Sequence, residues 1–189
     1  YSYLEADLPI EAFQTAYASR PWAVEMPSAG RGLGWDLLLR LRRRGVGLTT
    51  LTHAAGRSSL DGGPLDRQLP APERYALPRH AVTAIRQAKA AGGRVVAVGT
   101  TVVRALEDNF RAHGRLTEGE HVATLVLGPG FRPGVVDGIL TNMHERGESH
   151  FRLLGSFAAE ELLETAIDDA AGRGYQAHEF GDSCLILSS

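Results

Sequence analysis

Three features of this 189-residue chain predict an α/β fold: a layered, largely parallel or mixed sheet with helices on both faces. Apolar runs of strand length alternate with segments of helical period. One of those runs, VVAV at 95–98, is apolar at every position, as expected of a strand covered on both sides. Glycine or proline stands at most of the places where one kind of segment gives way to the other. With 43% hydrophobic residues the chain can build a sizeable core.

Taken in order, WDLLLRLRRR (35–44) reads as a helix closed by Gly45 and leads into a strand, VGLTTLTH (46–53). Residues 54–73, rich in Gly, Pro, Ser and Asp, read as a flexible loop within an otherwise single α/β domain spanning 1–189. Pro78 opens a helix through Ala91, with Ala81, Ala84, Ile85 and Ala88 at helical spacing, and Gly92 and Gly93 end it. Strand 95–99 and helix 101–113 follow, then strand HVATLVLG (121–128), a PGFRPG turn, and strand VVDGILTNMH (135–144). Residues 156–172 are amphipathic and helical, and FGDSCLIL (180–187) closes the fold as a strand.

Composition excludes several classes. Twenty Lys and Arg against 22 Asp and Glu leave a net charge of −2, so no bulk positive field holds the protein to nucleic acid. A local basic patch stays open, and RLRRR (40–44) is the densest cluster; at a helix C-terminus it also reads as charges favourable to the helix dipole. The single cysteine, Cys184, has no partner for an internal disulfide and no zinc motif around it, which fits a reducing cytoplasm. No apolar run approaches the roughly 20 residues needed to cross a bilayer, and no leader resembling a signal peptide is visible.

In parallel or mixed sheets, ligands collect where strands end and helix N-termini present free amides. GTT at 99–101 lies at such a place: Gly99 lets backbone approach a ligand, and Thr100 or Thr101 can cap the helix or offer a hydroxyl. A strand-to-helix turn of ordinary structural purpose has the same composition, and GTT matches neither a P-loop nor a GxGxxG pattern. Arg104 lies one turn into the helix and Glu107 three residues later on the same face, where Arg104 can clamp a carboxylate or phosphate and Glu107 can orient it, or the two can form a simple ion pair. A second strand end, TNMHERGESH (141–150), places Asn142 and His144 on the same side by strand alternation. His144 and His150 are six apart, not the four of HExxH, so no metal is expected there. At the third strand end, Asp182 beside Gly181 can hold a ligand hydroxyl or serve a turn.

Together these stretches carry a resemblance. GGRVVAVGTTVVRALE (92–107), PGFRPGVVDGILTNMH (129–144) and FGDSCLI (180–186) resemble the S-adenosylmethionine:tRNA ribosyltransferase-isomerase family of queuosine biosynthesis. That family shows GGR-x-x-AVGTTSVR-x-LE, then PG(Y/F) with VD-x-L-x-TNFHLP, and YGDAMLI. FQTAYA (13–18) is similar to its YQTVYA, MPSAG (26–30) to its P(S/T)AG-LHF, and ERYALP (73–78) to the end of its MHSE stretch. The resemblance runs in family order from Phe13 to Leu187. It implies the C-terminal part of an α/β catalytic domain, with the family's N-terminal segment and inserted β-barrel absent from this chain.

The resemblance also implies a reaction. S-adenosylmethionine serves as a ribosyl donor and co-substrate, without a metal: its sulfonium acidifies the 5′ carbon, a base removes a proton there, and adenine departs. The aminomethyl group of a 7-deazaguanine in tRNA attacks the sugar, and rearrangement to an epoxycyclopentane expels methionine. By the same resemblance Gly99, Thr100, Thr101, Arg104 and Asn142 are expected to bind the donor, and His144 to act as acid or base, with His53 and Asp182 as further catalytic candidates. The chain departs from the pattern where AGLHF becomes AGRGL, MHSE becomes PAPE and TNFHLPKSTLL becomes TNMHERGESHF. Two other readings stay beside the tRNA one: a paralogue acting on a small-molecule acceptor, and a non-catalytic nucleoside-binding protein. A monomer or weak homo-oligomer is expected in either case.

Overall fold

The structure, a computed structural model, describes residues 9, 12, 14–56, 70–177 and 180–188. Most of the expected loop near 54–73, together with Phe13 and the His178–Glu179 pair, lies outside the described residues.

Among the described residues, six strands form two three-stranded sheets. β1 (Thr52–His53), β2 (Glu73–Leu77) and β4 (Gly119–Ala123) make the first, with β2 central and both pairings antiparallel. β3 (Val96–Val98), β5 (Gly138–Asn142) and β6 (Ser183–Leu187) make the second. There β3 runs parallel to β5, and β6 runs antiparallel to it. The α/β class holds in its mixed form, since β3–β5 is the parallel pair among the described residues. Five helices complete the fold: α1 (Trp35–Arg43), α2 (Arg79–Ala90), α3 (Thr100–His113), α4 (Ser149–Leu154) and α5 (Glu160–Gly172).

α3 is the organiser. It touches β1, β4, β3 and β5, and so lies between the two sheets. Val103, Ala105 and Leu106 enter the common core with Tyr75, Leu77, Ala97 and Ile139. A helix covered from several sides cannot turn its polar face to water, so its polar residues bond the neighbouring backbone instead. Asp108 accepts the N–H groups of Thr124 and Leu125, each at 2.8 Å. Asn109 donates to the Tyr75 hydroxyl and the Thr117 carbonyl and accepts from the Thr117 N–H at 2.7 Å.

These bonds explain where strand lengths differ from expectation. The ladder of β4 stops at Ala123 because the next two N–H groups belong to Asp108. β5 starts at Gly138 and not at Val135, because Glu107 takes the N–H groups of Gly134, Val135 and Val136. Only Thr52 and His53 of the expected strand 46–53 pair; Val46 and Leu48 stay exposed. The strand β2 was not foreseen, although Tyr75 and Leu77 alternate inward. The expected helix 156–172 begins at Glu160, and a separate turn of helix, α4, precedes it.

Candidate functional site

The carboxyl ends of β3 and β5 lie side by side. The Gly99 N–H donates to the Leu140 carbonyl at 2.8 Å, which brings GTT next to Thr141 and Asn142. Gly99 is the N-cap of α3 with φ +95° and ψ 149°, a conformation that glycine alone adopts readily. No side chain caps α3, and its N-terminus opens at this strand end. Thr100 is buried there and Thr101 half-buried. The 3₁₀ turn Ser28–Gly30 packs against β5, with Ala29 beside Gly99. Gly30 fits because a Cβ at that position would collide with the Tyr17 hydroxyl.

A polar cleft of about 420 Å³ opens at this edge, lined by Ser28, Arg31, Asn142, Phe180, Gly181 and Ser183 among others. Asn142 faces Ser183 across the β5–β6 ladder and is 4% exposed. The Arg31 guanidinium lies over the Phe180 ring at 4.5 Å, and its Nε donates to the Ala12 carbonyl. Asp182 serves the turn in front of β6: its Oδ2 accepts the Gln176 N–H at 2.8 Å, and its carbonyl accepts the Met143 N–H.

His144 does not share a side with Asn142. The chain turns after β5, and the imidazole returns to Thr141, whose side chain leaves the strand on the opposite face. Nε2 of His144 lies 2.8 Å from Thr141 Oγ1, and Nδ1 lies 3.9 Å from Glu148 Oε2. Hydroxyl, imidazole and carboxylate follow one another as in a nucleophilic triad, but Thr141 is 2% exposed and cannot reach a substrate. Thr141 and Glu148 orient the ring.

A second histidine, His150, tilts against the first with ring centroids 5.0 Å apart. Burial pushes the His150 imidazole below its ordinary pKa, against the upward pull of the Glu25, Glu148 and Glu73 carboxylates. Glu73, in turn, stands 3.7 Å from His53. The His53 side chain is buried beside Tyr75, and among the described residues neither ring nitrogen has a hydrogen-bond partner. Its pKa is also lowered, first by burial, with Glu73 pulling upward and Arg104 downward. Glu73 thus stands beside His53 and also pulls on His150, which packs against His144.

Arg104 has another place than the one expected. It is 4% exposed, and its whole fork is engaged by protein atoms. Nε donates to Leu125 O at 2.9 Å, Nη1 to the Glu73 carboxylate, and Nη2 to the carbonyls of Pro70, Ala71 and Ala123. Each of its three nitrogens already donates to protein, to five acceptors in all, so the fork is committed to the framework. Nor does Glu107 orient it, since its two oxygens hold the turn before β5. Arg104 instead fixes Glu73 and ties β4 to the segment before β2.

The strand-end geometry therefore sets Gly99, Thr100 and Thr101 beside Thr141 and Asn142, with His144 against Thr141 on the other face of β5 and His53 apart from them beside Glu73. Asp182 borders the cleft by its backbone and spends one oxygen on a turn. Sequence reasoning passed over Glu148 and Arg31. The i, i+4 spacing of His144 and Glu148 is the signal that was available for the first; Arg31 carries none. Among the described residues no group of three or more His, Cys, Asp or Glu side chains is placed to hold a metal ion, and no helix is long and apolar enough to cross a membrane.

Comparison with known proteins adds an independent line. A family model described as queuosine biosynthesis protein matches residues 1–186. A protein of Thermus thermophilus named S-adenosylmethionine:tRNA ribosyltransferase-isomerase is 39% identical over 188 residues, covering 98% of this chain and 54% of its own length. One of the same name from Gloeobacter violaceus is 36% identical over 180 residues, covering 94% and 51%. The crystal structure of S-adenosylmethionine tRNA ribosyltransferase from Thermotoga maritima superposes with a TM-score of 0.70 at 30% identity, over 84% of this chain and 51% of that one. The chain spans about half the length of the curated relatives it matches. With the motifs in order, the fold superposable and nearly every residue inside the match, the chain belongs to the queuosine biosynthesis protein family.

Proposed function

We propose that the protein uses S-adenosylmethionine as a ribosyl donor, transferring and isomerising the ribosyl group onto the aminomethyl group of 7-aminomethyl-7-deazaguanine in a cytoplasmic tRNA. The observation that supports this reading is the meeting of GTT with TN-x-H, fastened by the Gly99–Leu140 bond. The relatives carry tRNA in their names, which favours an RNA acceptor over a small molecule. The donor would lie across the ends of β3 and β5, between the cleft at Asn142 on one side and His144 at Thr141 on the other, with the α3 N-terminus and the Gly99 backbone beneath it. The sulfonium supplies the acidity of the 5′ carbon. His144 would take that proton, oriented by Thr141 and Glu148. His53, whose pKa burial lowers, stays a second candidate for proton transfer beside Glu73.

The test is incubation of full-length protein with S-adenosylmethionine and unmodified tRNA, with mass spectrometry for free adenine and methionine. His144→Asn should cut adenine release by roughly 10²–10⁴-fold, the usual worth of a general base, while donor binding survives. Release at near the wild-type rate removes His144 from the chemistry, and absence of release from the wild type removes the reaction.

A further inference from the structure

α1 stands out from the rest of the surface. None of its nine residues is buried, and it carries Arg40, Arg42 and Arg43, with Arg44 at its end. All four arginines are exposed and, among the described residues, none forms an ion pair. Some cations elsewhere are paired, Arg74 with Glu120 at 3.0 Å, Arg146 with Asp168 at 2.7 Å and Arg173 with Asp169 at 2.9 Å, and others such as Arg86 and Arg111 are not, among the described residues; what sets α1 apart is four arginines within five positions. Arg40, Arg43 and Arg44 share one face at i, i+3 and i+4, a spacing at which like charges repel. The helix dipole welcomes cations in the last turn but does not call for four of them side by side. In a chain of net charge −2 this concentration is local.

Its position matters as much as its charge. Gly32 lines the strand-end cleft, and α1 begins three residues later. At no more than ~3.5 Å per extended residue and ~1.5 Å per helical one, the arginines lie within roughly 25 Å of the cleft. Trp35, at the start of α1, is 63% exposed and presents a ring for base stacking.

We propose that α1 with Arg40, Arg43 and Arg44 is the surface that binds the phosphate backbone of the RNA whose modified base enters the cleft. The inference rests on the tRNA reading above and adds to it where the RNA lies. Guanidinium forks pair with phosphate oxygens, and neutralising phosphates releases counterions, so binding should carry a salt signature of these residues.

The experiment is fluorescence anisotropy of full-length protein with a labelled anticodon stem-loop RNA, repeated across sodium chloride concentrations. Arg40→Gln/Arg43→Gln/Arg44→Gln is compared with Arg146→Gln/Arg173→Gln, which removes paired surface arginines. The first variant should lose roughly tenfold or more in affinity, and its log K against log salt should flatten by about 2–3, at 0.7–0.9 per phosphate contact. S-adenosylmethionine affinity and the circular dichroism spectrum should not change. Equal affinity and slope for wild type and the α1 variant overturn the proposal and leave the tRNA reading intact. Equal losses in both variants overturn it too, by showing a bulk charge effect. No RNA binding by the wild type removes both readings. If the α1 variant changes sedimentation and not RNA affinity, the surface belongs to a second copy of the chain and the proposal fails.

Discussion

Replacing Arg104 separates a framework residue from a ligand clamp. Arg104→Ala deletes donors to four carbonyl oxygens and leaves the Glu73 carboxylate, 12% exposed at its side chain, without its cation. Removing one partner of a buried ion pair costs about 3–5 kcal/mol, because the other charge stays desolvated. A loss of about 4 kcal/mol corresponds to a fall of about 10 °C in Tm for a chain of this size. Arg104→Lys keeps the charge but not the fork; it should lose about half as much, since a point charge with three donors cannot serve all five acceptors. The assay is thermal and urea unfolding followed by circular dichroism, with calorimetric titration of S-adenosylmethionine well below the transition. The reasoning predicts a large stability loss and donor affinity within about threefold of wild type, as for a residue that does not touch the ligand. An Arg104→Ala protein that melts within about 1 °C of wild type, as a neutral surface change would, and yet loses donor binding would refute it.

Two further outcomes follow from the same geometry. Gly99→Ala should cost about 1–3 kcal/mol for backbone strain, measurable in urea, without a clash, because its Cβ neighbours would lie at an ordinary 3.7 Å; unchanged stability would mean the φ of +95° is not required. His53 and His150 both have folded pKa values below the unfolded value of about 6.5, so the unfolded chain takes up protons first as pH falls. Their contribution is complete above that value and is lost as pH drops through it toward the folded values. The urea midpoint should therefore be lower at pH 5 than at pH 7, and His150→Leu should narrow that gap; an unaltered gap would show that His150 is not the group titrating.

What the sequence decided by itself was what local chemistry decides. The apolar run before Gly99, the helical period of 79–90 and 100–113, and the motif order from GTT to TN-x-H were legible because each depends on near neighbours along the chain. So was the meeting of GTT with TN-x-H, since strand ends in an α/β sheet face the same way when the strands run parallel. Sequence could not decide the roles of Arg104 and Glu107. A charged residue in the first two turns of a helix looks the same whether the helix faces solvent or two sheets. Only the packing of α3 between the sheets turned Arg104 into a brace for Glu73, and Glu107 into the acceptor that delays the start of β5. The pairing of β2 with β1 and β4 was hidden for a related reason. It joins residues 22 to 50 positions apart, and its register is set by burial of Tyr75 and Leu77 and by hydrogen bonds across the molecule, which no local pattern records.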